Sequence, residues 1–376
     1  MRRLLKWIAL AFVLVIGVVL ALGWRSFGER ASGERRARME RSPQWKDGHF
    51  VNPQPIINLY WEMIKASFGG SSNDVSPSAP IAVSPVALDV PPASGLRVTW
   101  LGHSTTIIEI DGIRILTDAN WSERASPFQW IGPRRWFPPI IALASLPKID
   151  VVLISHDHYD HLDMATIEAM KGWDARFVVP LGVGALLEGW DVPAAKIAEL
   201  DWWEKVAIAG VEIVATPARH ATGRFAAQDR NLWASYAIIG PAHRVYYSGD
   251  TGLFPALTEI GARLGPFDVT MFEIGQYHRT WPDWHLGPEQ AVQAHKMIGG
   301  KVLFPIHWAL FPLAFHGWTE PIERVLAEAK KQDVIIVAPK PGESVEPSAP
   351  PAIDRWWPDL PWETAEQHPI ISSQMN

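Results

Sequence analysis

No cysteine occurs among the 376 residues of this chain. That excludes a disulfide framework, a thiol nucleophile, a metal site with a Cys ligand and a lipoprotein attachment cysteine. It leaves the compartment open, because cytoplasm and periplasm both tolerate a cysteine-free chain. Surplus positive charge is missing too. The formal net charge is -6, and no long basic run lies beyond the N-terminal region, which argues against a nucleic-acid partner. No repeat of short period is present. What is plentiful is apolar sequence, 48% against 20% charged, so a core of normal size can form. The length fits one large domain with appendages or two ordinary domains. Tryptophan is unusually frequent at 20 residues, suiting core, groove and lipid-interface positions.

Arg2, Arg3 and Lys6 precede an apolar run from Trp7 to Gly23. That run is close to the roughly 17–25 residues a membrane-spanning helix needs. Two expectations stand for residues 1–27. An uncleaved anchor fits the length of the run and the Trp24-Arg25 that follows it. A cleaved signal segment fits the small-x-small triplet Ala21-Leu22-Gly23. Orientation is balanced, because Arg25, Arg30, Arg35, Arg36 and Arg38 offset the positive start. With that start inside, the remainder lies outside the cytoplasm.

Residues 28–95 are expected as a stalk and an extended wrap. Residues 28–48 are charged and poorly periodic, 56–67 fit a short amphipathic helix, and 69–94 are rich in Ser, Pro and Gly. At Leu96 the texture changes. Residues 97–101, 105–110 and 113–117 are strand-like, with Asp111-Gly112 as a hairpin turn. Residues 151–154 form a short all-apolar run, as buried central strands do. Further strands are expected at 176–180, 206–216, 233–239, 244–248, 269–274, 301–306 and 334–337. Helices are expected at 164–171, 185–188, 255–264, 288–297 and 321–331. Hairpins come first, and strands alternate with helices later. That order suits an α/β fold, a four-layer αββα sandwich over residues 96–345, followed by a tail at 346–376.

The chemistry concentrates in Ser155-His156-Asp157-His158-Tyr159-Asp160-His161. His156, His158, Asp160 and His161 follow the buried strand, so they share one loop at a strand's C-terminal end. Imidazoles and carboxylates together suit zinc or a similar divalent ion. Four candidate ligands in so short a loop exceed what one ion accepts, so two ions completed from elsewhere is the simpler reading. His220, Asp250 and His307 each follow an expected strand and supply that completion. A lone histidine at a strand end is usually structural, and a lone Asp among glycines is usually a turn. The loop reverses those odds, because its ions need partners.

This order resembles the metallo-β-lactamase superfamily, whose loop reads His-x-His-x-Asp-His. The resemblance implies that His156, His158 and His220 hold one ion, that Asp160, His161 and His307 hold a second, and that Asp250 bridges them. A closer resemblance is to the N-acyl-phosphatidylethanolamine-hydrolysing phospholipase D branch and its bacterial relatives. It rests on VTWLGHSTTIIEIDG, LTDANWSERASPFQWIGPRR, VLISHDHYDHLD, ELDWWE, SGDTG, GPFD and PIHWALF, and spans roughly residues 42–342. Two departures stand out. Glu273 occupies a strand where that branch looks apolar, and residues 276–284 diverge, both near the expected mouth of the site.

The resemblance implies two Zn2+ ions sharing a hydroxide that attacks a phosphodiester, with Asp160 and Asp250 orienting the nucleophile. His285 matches a further histidine of the branch, expected to contact substrate or donate a proton; its alternative is a cap on the helix from Pro288. His103 is expected to support the site or the fold. Tyr159 is expected to pack locally and Asp163 to orient a ligand imidazole. His243, His278, His295 and His316 carry no functional signal. The expected substrate is a phospholipid, with residues 128–137 and 309–315 as lining of an apolar groove. A lactonase or other ester hydrolase is the alternative, and a non-enzymatic membrane-tethered metal-binding protein is a third. The expected location is a bacterial inner membrane, with the catalytic domain outside the cytoplasm.

Overall fold

The computed structural model describes residues 2–68, 74–224 and 227–373. Parts of the expected linker (69–73) and tail (374–376) lie outside the described residues. Two seven-stranded sheets form the body. The first contains β1 (Leu96–Gly102), β2 (Thr105–Ile110), β3 (Ile113–Thr117), β4 (Val151–Leu153), β5 (Arg176–Pro180) and β6 (Ile197–Leu200). The second contains β7 (Lys205–Ile208), β8 (Val211–Thr216), β9 (Ser235–Ile239), β10 (Arg244–Tyr247), β11 (Phe267–Glu273), β12 (Gly300–Ile306) and β13 (Ile335–Ile336). The last strand, β14 (Ser344–Val345), returns to edge β1 of the first sheet.

The two sheets share one pairing pattern. The first runs β14-β1-β2-β3-β4-β5-β6 and the second β13-β12-β11-β10-β9-β8-β7. In each, the hairpin-connected side is antiparallel and the helix-connected side parallel. Short turns can join only antiparallel neighbours, whereas parallel neighbours need a crossover.

Alternation along the strands explains the layers. Val151 and Leu153 of β4 and Val178 of β5 enter the core between the sheets. Val152, Ile154, Phe177 and Val179 point the other way, against Ile167 and Met170 of a helix at Met164–Met170 and Val183, Leu186 and Leu187 of one at Val183–Gly189. The second sheet's outer face is covered by helices at Ala256–Leu264, Pro288–Met297 and Glu320–Lys331, through Leu257, Ile260, Val292, Ile322 and Val325. Sheets with both faces buried need apolar residues on both sides, hence the continuous runs in the sequence.

Several expectations change. The single strand at 206–216 is two strands, β7 and β8, joined at Ala209-Gly210, both with left-handed φ (48° and 88°). Residues 33–50 do not stand off as a stalk. A helix at Gly33–Met39 lies on the domain: Arg35 donates to Glu199 (2.5 Å) and Glu188 (2.8 Å), and Met39 and Phe50 are buried in the main core. The extended wrap continues with Ser84 N donating to Pro341 O (2.8 Å).

The N-terminal helix, α1 (Arg2–Phe27), is long and apolar enough to cross a membrane, with mean hydropathy 2.7, and its apolar stretch is unburied. Its last turn is not free. Trp190 Nε1 donates to Arg25 O (2.7 Å), and Arg224 Nε donates to Ser26 O (2.8 Å).

Candidate metal centre

The centre lies where strand C-terminal ends converge. The loop after β4 carries His156, His158, Asp160 and His161; His220 follows β8, Asp250 follows β10 and His307 follows β12. The backbone at these ends is specialised. His103, Asp118 and His307 all have left-handed φ (54°, 34° and 63°), uncommon for residues with a side chain. Gly249, before Asp250, also has left-handed φ (54°), and a Cβ there would lie 2.5 Å from the Ser155 Cβ.

All seven expected ligands come together. His156, His158, His220 and Asp250 place ligand atoms within 4.8 Å of one another, and so do Asp160, His161 and His307, joined there by His103. Asp250 touches both groups. Its Oδ2 lies 3.7 Å from His156 Nε2 and His220 Nε2 and 3.1 Å from His161 Nε2, while Oδ1 lies 3.1 Å from His307 Nε2. Ring nitrogens point at one another: His156 Nε2 to His158 Nδ1 at 2.8 Å, and His161 Nε2 to His307 Nε2 at 3.0 Å. Imidazole edges so arranged, with a buried Asp250 and a partly buried Asp160 among them, suit divalent-cation binding.

Cation binding needs neutral imidazoles and ionised carboxylates. Burial would lower His161 and His307, but Asp250 and Asp160 outweigh it and raise both, so a cation there would displace protons. Burial first, and neighbouring histidines next, push His156 well below its ordinary range. Burial also lowers His158 and His220, against the opposing pull of Asp250. Burial would raise the Asp160 carboxyl, but His161 and the hydrogen bonds from His103, His161 and His307 hold it well below the carboxylate range. Asp250 follows the same balance, with His161 and His307 outweighing burial.

Supporting residues explain why these rings hold their positions. Asp118, which carries no signal in the sequence, is wholly buried. Its Oδ2 takes His161 Nδ1 at 2.7 Å and also accepts from Ser155 Oγ and Tyr247 Oη, each at 2.5 Å. Ser155 Oγ in turn lies 2.9 Å from His156 Nδ1. His220 Nδ1 bonds Trp284 O (2.8 Å), and Asn52 of the wrap pairs with the His220 backbone through both of its amide atoms.

Two expectations are corrected. Asp163 orients no imidazole. It caps the helix at Met164–Met170 through Ala165 N and binds Ser122 and Thr166. The loops at 128–137 and 309–315 pack on each other instead of framing a lipid-sized groove: Phe137, Leu310 and Phe311 bury one another, Trp136 N donates to Leu310 O, and Trp136 with Phe311 and Leu313 lines a cavity of only about 20 Å³. The cavity that opens on the metal loop, of about 410 Å³, is lined instead by the wrap (Asn52, Gln54, Asn58), by Gln228, by Trp284 and by His158. His103 supports the site, with Nε2 2.9 Å from Asp160 Oδ2. Tyr159 lies under the Arg224 guanidinium, 4.0 Å away. His285 is not a helix cap, since its Nδ1 lies 2.6 Å from Glu273 Oε2. His243, His278, His295 and His316 bond Asp111, Thr280, Thr270 and backbone carbonyls respectively, away from the centre.

Known proteins agree with this geometry. Residues 113–308 match the beta-lactamase superfamily domain. An uncharacterized protein of Mycobacterium tuberculosis is 46% identical over 336 residues, covering 86% of this chain and 89% of its own length. N-acyl-phosphatidylethanolamine-hydrolyzing phospholipase D 1 of Caenorhabditis elegans is 35% identical over 234 residues, covering 58% of this chain and 65% of the relative. The solved structure of a metallo hydrolase from the archaeon Ignicoccus hospitalis superposes with a TM-score of 0.52 at 24% identity, covering 66% of this chain and 97% of that one, which shows the fold alone.

Proposed function

The chain belongs to the metallo-β-lactamase superfamily and is a metal-dependent hydrolase, and from that premise we propose a two-zinc phosphodiesterase of phospholipase D type, held at a membrane by α1 and acting on N-acyl-phosphatidylethanolamine-like phospholipids. One observation carries the proposal: two groups of candidate ligands meet at Asp250, which belongs to one and contacts His161 and His307 of the other. A bound pair of divalent cations supplies Lewis acidity and a hydroxide nucleophile at neutral pH.

The chain's own residues do the rest. His156, His158 and His220 would hold one cation and Asp160, His161 and His307 the other, with Asp250 placed to serve both. Asp118 and His103 fix the rings and the carboxylate that would otherwise rotate away. Burial keeps His156, His158 and His220 neutral and ready to donate, whereas Asp160 and Asp250 hold protons on His161 and His307 that a cation would have to displace. His285, 14% exposed and packed against His220 and His307, is the side chain assigned to meet substrate. Burial is the first cause lowering its pKa, which keeps it neutral and able to accept a hydrogen bond.

The test is hydrolysis of N-acyl-phosphatidylethanolamine by zinc-loaded protein, with phosphatidic acid as the diagnostic product. Release that disappears in a His156→Ala/His158→Ala double variant supports the proposal. Retained release in that variant overturns it. A second reading, hydrolysis of a lactone or other small ester, is favoured by the polar lining of the cavity beside His158. Absence of phosphatidic acid with both metals bound moves the assignment there.

A further inference from the structure

Glu273 ends β11 as a fully buried carboxylate beside the metal ligands. Its surroundings are donors. Oε1 accepts Thr251 N–H at 2.5 Å. Oε2 lies 2.6 Å from His285 Nδ1 and 3.6 Å from His307 Nδ1. His307 Nε2 lies 3.5 Å from Asp160 Oδ2 and 3.1 Å from Asp250 Oδ1, which leaves its Nδ1 edge on the Glu273 side.

The His285 ring bridges the centre. It lies edge-to-face on His220 of one ligand group (5.0 Å, 68°) and stacks on His307 of the other (5.5 Å, 24°). Nδ1 turns inward to Glu273, and Nε2 has no partner among the described residues.

We propose that Glu273 is a positioning residue that fixes His285 as its Nδ1–H tautomer, so that the Nε2 lone pair, on the ring edge turned away from Glu273 and Asp250, is left as an acceptor for a hydroxyl or amide N–H of the substrate. A carboxylate bonded to one ring nitrogen determines what the other can do. A site built around such an acceptor discriminates against analogues that lack the donor. The role of His285 toward substrate rests on the hydrolase reading above. The Glu273–His285 pairing itself does not.

The experiment is 15N NMR of histidine-labelled, zinc-loaded full-length protein in detergent, with His285→Gln used to assign the His285 signals. The native protein should show Nδ1 protonated and Nε2 bare. Glu273→Gln keeps the shape but offers an amide donor, and should reverse the tautomer with zinc content unchanged. In turnover assays Glu273→Gln should lower kcat by about 10- to 100-fold with little change in KM, and Glu273→Asp should restore part of it. An Nε2–H tautomer in the native protein, or His285 signals indifferent to Glu273→Gln, overturns the proposal. Lack of hydrolysis of any phosphodiester sinks the functional reading alone, because the tautomer is read without substrate.

Discussion

Asp118 Oδ2 lies 2.7 Å from His161 Nδ1, across 43 residues of sequence, and turns the opposite edge of that ring toward Asp160 and Asp250. Without this carboxylate the imidazole loses both its tautomer and its orientation. Asp118→Asn should weaken metal binding by about 10- to 100-fold, measured by competition with a chromogenic chelator. Unchanged affinity would show that the ring is held by other means.

Asp250 contacts both ligand groups, whereas His307 contacts one. His307→Ala should therefore retain about one metal per chain after gel filtration, and Asp250→Ala should retain less. Equal retention in the two variants would refute the bridging role. Elemental analysis of the purified proteins decides between these outcomes.

Arg219 and Asp283 form a wholly buried ion pair at 2.9 Å, and Ser373 of the C-terminal tail bonds both partners. The pair flanks His220 on one side and Trp284-His285 on the other. Removing one partner leaves an uncompensated buried charge, so Asp283→Ala should cost about 3–5 kcal/mol of stability. Calorimetry would show this as a lower Tm, and metal affinity should fall with it.

Buried His295, bonded to Thr270 Oγ1 at 2.6 Å, has its pKa lowered from 6.5 to about 4 by burial. The unfolded chain binds that proton more readily, so stability from this group is complete above pH 6.5 and is lost as pH falls toward 4. Denaturant titrations across that window should show a shallower decline in His295→Gln than in the native protein. Parallel declines would assign the acid sensitivity elsewhere.

Gly23 and Ser26 are buried against the domain, and Phe27 meets Phe128 edge-to-face at 6.1 Å. Deleting residues 1–21 should give a protein that needs no detergent and keeps its Tm. Deleting residues 1–27 should lower Tm, because Trp190 Nε1 and Arg224 Nε lose their acceptors. An identical Tm for both truncations would contradict the docking of the helix root.

The metal loop was legible because its ligands are close in sequence and no other chemistry uses that spacing. His220, Asp250 and His307 were legible only by association with it. Asp118 was not, since an aspartate after a strand reads as a turn until the fold brings His161 to it. Glu273 drew notice only as a departure, and its purpose depends on His285 reaching it from another segment. The turn inside 206–216 escaped because alanine, not Asn or Asp, takes its first left-handed position, at Ala209. The helix at Gly33–Met39 has no apolar period of its own, and ion pairs with distant glutamates hold it in place.

Arg224 binds the root of α1 with Nε and, with Nη1, the Asp157 and Leu162 carbonyls that bracket the metal loop (2.8 and 2.9 Å). One guanidinium thus joins helix and loop as a bracket joins a post to a shelf. Were a bilayer to receive α1, as proposed above, this link would set the tilt of the metal loop as well as its distance. Molecules lying in that surface would then meet the loop from a single direction, and choice of substrate would begin with geometry before any pocket is entered.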